Sequence, residues 1–250
     1  MADFIKLAVL FCLFCPNLFA QRIQPDSLEQ NINSEFNYKK LIIPTALISY
    51  GFIGLESEGI KRFNLQMRSE MDALRNRSTY IDDYSQYVPM VSVYALNAMG
   101  VKGKHNFKDR TIALGTAYVI MGATVQGLKR LTAIQRPDGT AYNAFPSGHT
   151  ATAFMAAEFL NQEFKEVSVW YGISGYLVAA CTGFLRMYNN RHWFTDVVTG
   201  AGIGILSTKL AYQIAPFVKK IVFGDNDFFK GIKIDFHAGE MFGVALSASF

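Results

Sequence analysis

Three short segments of this 250-residue chain hold residue types at spacings suited to phosphate chemistry. The first runs from Lys129 to Arg136-Pro137. Seven residues is about two helical turns, so the two cations can share one face. A guanidinium offers a planar fork of donors that fits phosphate oxygens, and a lysine adds a point charge. The second is Pro146-Ser147-Gly148-His149, opening an Ala/Thr/Phe/Met run over 150–160 that reads as helix. The first N–H groups of a helix have no internal partner and bind anions. Gly148 lets the backbone come close to such an anion, and His149 stands where an imidazole can pass a proton to a leaving oxygen. The third runs from Arg186 through His192 to Asp196. If this segment is helical, His192 and Asp196 at i and i+4 share a face, and the carboxylate can hold one ring nitrogen while the other stays free as a nucleophile. Taken singly, the segments have ordinary structural accounts: a solvated basic helix end, a helix cap and a His–Asp hydrogen bond. Together they describe a phosphoryl-transfer site in which fixed protein cations stabilise the charge spread over the transferring group.

The order K-x6-R-P, P-S-G-H, R-x5-H-x3-D resembles the signature of the type 2 phosphatidic acid phosphatase and vanadium haloperoxidase superfamily, and it covers residues 129–196. The resemblance implies an all-α fold with no cofactor and no metal in the phosphatase members. It implies that Lys129, Arg136 and Arg186 bind phosphate, joined by Ser147 and Gly148. It makes His149 the general acid and His192 the nucleophile that forms a phosphohistidine, oriented by Asp196. One departure is that many members have Ser before the third-segment Arg, where this chain has Leu185. That removes a hydrogen bond but no catalytic group. His105 and His237 match no motif and are assigned no role.

The elements that must position these residues show up as stretches without Asp, Glu, Lys or Arg: 41–55, 84–101, 111–128, 167–185 and 197–208. They lack strict alternation and read as buried or membrane helices. The expected architecture is a helical bundle of about five to six core helices over 41–220. Within it, Gly200, Gly202 and Gly204 serve close helix packing rather than a dinucleotide loop. A chain that descends 150–160 and returns along 167–185 brings Arg186 and His192 back to the end that holds the first two segments. Alternation of Ile232, Ile234 and Phe236, and again of Phe242, Val244 and Leu246, leaves room for a short β-hairpin in the tail 221–250.

Residues 1–20 read as a secretory signal peptide, with Lys6, an apolar run over 7–14 and a cleavage site after Ala20. Residues 21–40 are a polar lead-in. Cys12 and Cys15 fall inside the signal, and Cys181 alone cannot form an internal disulfide, so the fold must rest on its core. Half the residues are hydrophobic and 18% are charged, which excludes a disordered chain. A net charge of only +4 without a Lys/Arg block leaves no footprint for nucleic acid. The expected partners are a membrane and a phosphorylated small-molecule or lipid substrate. The expected location is the cell envelope, in the inner membrane, with the site outside the cytoplasm. The rival readings are a soluble periplasmic acid phosphatase, a vanadate-dependent haloperoxidase and a non-catalytic membrane protein. The chain is short for a haloperoxidase, and a mere binding pocket needs neither a nucleophile nor an acid.

Overall fold

The computed structural model describes residues 38–223, together with the backbone of 232–238 and 242–248. The expected signal peptide and most of the lead-in lie outside the described residues. After a 3-10 turn at Tyr38–Leu41, the described residues form eight α-helices. These are α1 (Ile42–Glu56), α2 (Glu58–Leu74), α3 (Ile81–Ser85), α4 (Val88–Ala98), α5 (Phe107–Thr132), α6 (Gly148–Phe164), α7 (Val169–Tyr188) and α8 (Phe194–Phe223). In the tail, β1 (Ile232–Ala238) pairs antiparallel with β2 (Phe242–Ala248), Ile232 opposite Ala248.

The axis of the bundle is α6, which packs against α4, α5, α7 and α8. Its sequence explains why. Ala151, Ala153, Ala156 and Ala157 keep it slim, while Met155, Phe159, Leu160 and Phe164 fill the gaps to its neighbours, all fully buried. Met121, Val125, Met155 and Ile203 join α5, α6 and α8 in one cluster. Val93, Leu96, Phe159 and Tyr171 join α4, α6 and α7 in another. The three glycines of α8 act as spacers. A methyl group at Gly204 would stand 2.2 Å from the Ala151 carbonyl oxygen of α6, and one at Gly202 would stand 2.7 Å from the Pro44 carbonyl of α1. Backbones can meet this closely only where there is no side chain.

Caps fix the ends that matter. Asn106 starts α5 by accepting the Asp109 N–H at 2.9 Å. At the other end Ala133 turns the chain with φ 45°, and the loop 133–147 begins. Ser147 caps α6 and Ser168 caps α7.

Two features differ from the sequence expectation. The run 84–101 is not one helix, because the chain breaks between α3 and α4. Pro89 lies in the first turn of α4, where its missing N–H costs nothing. The second difference is α2, which a search for charge-free stretches passes over because it carries Lys61, Arg62, Arg68, Glu70 and Asp72 on a mostly exposed surface. The packed bundle is α1 and α4–α8, with α2 and α3 laid on it. Among the described residues α5 is long and apolar enough to cross a membrane.

Candidate active site

The first two cations are fixed by one loop residue. Lys129, in the last turn of α5, donates through Nζ to the Asn143 carbonyl, and Arg136 Nε donates to Asn143 Oδ1 at 2.8 Å. The loop is folded onto itself by Arg136 N–H to the Ala141 carbonyl and Ala144 N–H to the Ile134 carbonyl, both at 2.9 Å. Among the described residues no carboxylate makes an ion pair with Lys129 or Arg136. Their charges are held in place by neutral groups, with Asp196, and for Arg136 also Asp138, acting only from beyond ion-pair distance.

At the start of α6, Ser147 is fully buried and its hydroxyl is used by the cap. It meets Thr150 Oγ1 at 2.9 Å and accepts the Thr150 N–H at 3.4 Å. Its own N–H donates to the Asp196 carbonyl at 3.0 Å, tying α6 to the start of α8. The groups left open at this helix start are therefore the N–H groups of Gly148 and His149. A Cβ on Gly148 would meet Val125 at 3.8 Å, an ordinary contact, so a methyl group is accommodated there without strain. His149 Nε2 lies 2.8 Å from Asp83 Oδ1.

Arg186 ends α7 and reaches Asp82 Oδ2 through Nη1 at 2.5 Å, with Asp83 Oδ1 at 3.8 Å. Leu185, just before it, is buried. His192 lies just before α8, not within a helix, so helical i, i+4 geometry is not what brings it to Asp196. Its Nδ1 is 2.8 Å from the Ala144 carbonyl and 3.5 Å from Asp196 Oδ2. A carbonyl only accepts, so Nδ1 carries the proton and Nε2 keeps a lone pair. Asp196 Oδ2 accepts the Trp193 N–H at 2.8 Å. The carboxylate thus shapes the turn that holds His192 and stands as the second, longer neighbour of its ring. Burial, and then the charges of Arg186, Lys129 and Arg136, push the His192 imidazole well below its ordinary range. The ring is therefore held neutral at pH 7. Burial also raises the Asp196 carboxyl to about 7, against the pull of the Trp193 N–H and of Lys129 and Arg136.

The structure therefore brings Lys129, Arg136, Gly148, His149, Arg186, His192 and Asp196 to one end of the bundle, with Ser147 behind them as a cap. Sequence reading missed Asn143, Asp82, Asp83, Asn189 and the Ala144 carbonyl. The adjacent acids Asp82-Asp83, just before the charge-free run 84–101, were a signal. A backbone carbonyl leaves none. Behind Asp196 a cavity of about 240 Å³ is lined by Leu55, Leu65, Ile134 and Trp193, with Lys61 and Asn64.

Residues 110–220, which contain all three segments, match the model of the PAP2 superfamily. The segment that carries the site is thus similar to the PAP2 superfamily. The lipid A 1-phosphatase of Porphyromonas gingivalis is 42% identical over 151 residues, 59% of this chain and 34% of that protein. The chain thus spans about a third of the length of this curated relative. Among solved structures, LpxE of Aquifex aeolicus is 23% identical with a TM-score of 0.46, covering 60% of this chain and 94% of its own. The transmembrane PAP2 type phosphatidylglycerolphosphate phosphatase of Bacillus subtilis is 20% identical with a TM-score of 0.43, covering 72% and 97%.

Proposed function

We propose that this protein is a PAP2-type phosphatase that hydrolyses a phosphomonoester or pyrophosphate carried on a lipid, through a phosphohistidine on His192. The observation that carries the reading is the pairing of a neutral, tautomer-fixed imidazole at His192 with cations that lack carboxylate partners. His192 Nε2 attacks phosphorus in line with the leaving oxygen. Lys129, Arg136 and Arg186, with the Gly148 and His149 amides, stabilise the charge on the equatorial oxygens. His149 protonates the leaving oxygen and then deprotonates the water that releases phosphate. The protein's own cations fill the role that a metal ion takes in other phosphatases, so turnover is expected to survive chelators.

Two features support a lipid substrate. The cavity behind Asp196 is lined mainly by apolar side chains. Outward-facing Val119, Val169, Ile173, Leu177 and Phe217 leave an apolar surface on α5, α7 and α8, each more than half exposed, as expected of a membrane-facing bundle. The P. gingivalis relative acts on lipid A by its name, which makes lipid A the first compound to assay. We place the protein in the cell envelope with the site outside the cytoplasm.

The test is phosphate release by purified protein from lipid A, phosphatidate and a soluble phosphomonoester, with radiolabelled phosphate used to trap the intermediate. The expected result is release in the presence of chelator and an acid-labile, base-stable label on His192. Release without any such label would overturn the covalent route, and no release from any substrate would overturn the function.

A further inference from the structure

The short helix α3 is pinned to α7 by more bonds than a five-residue element needs for its own folding. The Thr79 N–H donates to Asn189 Oδ1 at 3.0 Å, and Asn189 Nδ2 returns to the Thr79 carbonyl at 2.8 Å and to Asp82 Oδ1 at 2.9 Å. Ser85 meets Thr182 at 2.8 Å, and Asp82 takes Arg186. All of this anchoring runs through residues other than the side chain of Asp83. That side chain is half exposed, and among the described residues its carboxylate pairs with His149, at 2.8 Å, and Arg186, at 3.8 Å. Its backbone is steadied by the Tyr80 carbonyl and by Gln86 Nε2. The anchoring therefore serves to present one carboxylate to one imidazole.

We propose that Asp83 is a positioning residue for the acid step: it holds His149 by Nε2 and so turns Nδ1 towards the leaving oxygen, to which the protonated ring gives its Nδ1 proton. The inference rests on the phosphatase reading above. Among the described residues Nδ1 of His149 has no protein partner, so that proton is available. The step balances. The His192 Nε2–phosphorus bond forms as the phosphorus–oxygen bond breaks, and the leaving oxygen takes the proton from Nδ1. His149 is left neutral with its Nε2–H still on Asp83, ready to accept the proton of the attacking water. The charged groups that bear on His149 are Arg186 from α7 and Asp82 and Asp83 from α3. Burial and then Arg186 lower its proton affinity, and the hydrogen bond and charge of Asp83, helped by Asp82, oppose them. The net direction is downward even with Asp83 in place, and without Asp83 a still smaller share of the ring carries the proton that the acid step needs.

The test compares the wild type with Asp83→Asn and Asp83→Glu in the full chain. For an alkyl phosphate, whose leaving group needs a proton, kcat in Asp83→Asn should fall roughly tenfold. For p-nitrophenyl phosphate, whose leaving group does not, it should change less than twofold. The limb of the pH profile that needs protonated His149 should move down by about one unit, and Asp83→Glu should restore part of the loss. NMR titration of the His149 ring, which needs no turnover, should show the same downward move. Equal losses on both substrates, or an unmoved His149 titration, would overturn the proposal. If the wild type releases no phosphate at all, the functional reading fails, while the NMR titration still decides whether Asp83 favours the protonated ring of His149.

Discussion

The two ends of the bundle are both crowded with ionisable groups, yet they are built on opposite terms. At the end away from the site, His105, Arg110, Glu163 and Tyr212 are packed together between α5, α6 and α8. Glu163 takes His105 Nδ1 at 2.8 Å, the Tyr212 hydroxyl at 2.6 Å and the His105 N–H at 3.1 Å, with Arg110 Nε 3.6 Å away. His105, Arg110 and Glu163 are each no more than 2% exposed. One carboxylate meets one guanidinium, while His105 Nε2 and Arg110 Nη1 have no hydrogen-bond partner among the described residues. At the site end the cations Lys129 and Arg136 are braced by an amide and a carbonyl, and a helix start with a bare glycine lies at the same end. A buried cluster whose charges are paired with one another is structure. One that holds charge without a counterpart waits for a ligand.

Substitutions on the two sides should separate these roles. His192→Ala should lower turnover by about ten thousandfold with little change in thermal stability of the detergent-solubilised protein. Glu163→Ala leaves Arg110 buried without its partner and should destabilise the fold by about 3–5 kcal/mol, seen as a lower melting temperature, while turnover per folded molecule is kept. A Glu163 variant that melts normally but has lost activity would break the contrast.

The next contrast is smaller and uses glycines alone. At Gly204 an added methyl would press on the Ala151 carbonyl at 2.2 Å, whereas at Gly148 it meets nothing closer than 3.8 Å. Gly204→Ala should therefore cost about 1–3 kcal/mol of stability. Gly148→Ala should leave stability unchanged and lower kcat/KM by roughly tenfold, because only an incoming anion would feel the methyl. Thermal melts and steady-state kinetics on the same two preparations check both arms. Unaltered kinetics in Gly148→Ala would place the phosphate elsewhere.

The same comparison shows what could be read from the chain. Side chains proposed to touch the reacting group must be of particular types, so Lys129, Arg136, His149, Arg186 and His192 stood out by chemistry and spacing. The main helices stood out because long charge-free runs must be buried or face lipid. What stayed hidden acts through geometry. Asn143 braces two cations from a loop whose path no periodicity predicts, and the Ala144 carbonyl fixes a tautomer with a group every residue owns. Ser147 reads equally well as ligand or cap, and only the folded chain shows its hydroxyl turned to Thr150. His105 and His192 are both buried histidines beside a carboxylate, and the residues next to them in sequence do not say which one faces unpaired charge.

Asp196 offers the finest test, because its burial affects stability as well as chemistry. Its carboxyl rises from an ordinary 3.8 to about 7 on folding, so the folded chain binds a proton that the unfolded chain has already released. Folding stability from this group is fully present below about pH 4 and is lost as pH rises towards 7, where the folded form too must ionise in a buried place. Asp196→Asn has no such titration. Relative to that variant, the wild type should lose stability steadily between pH 4 and 7 and then level off, measured by denaturant unfolding across the series. Activity should run the other way: the amide can still accept the Trp193 N–H but adds no charge beside His192 as it becomes cationic, so turnover should drop. A stability difference that does not vary with pH would mean that Asp196 is already ionised throughout. In that case the three cations, and not burial, would govern this end of the bundle.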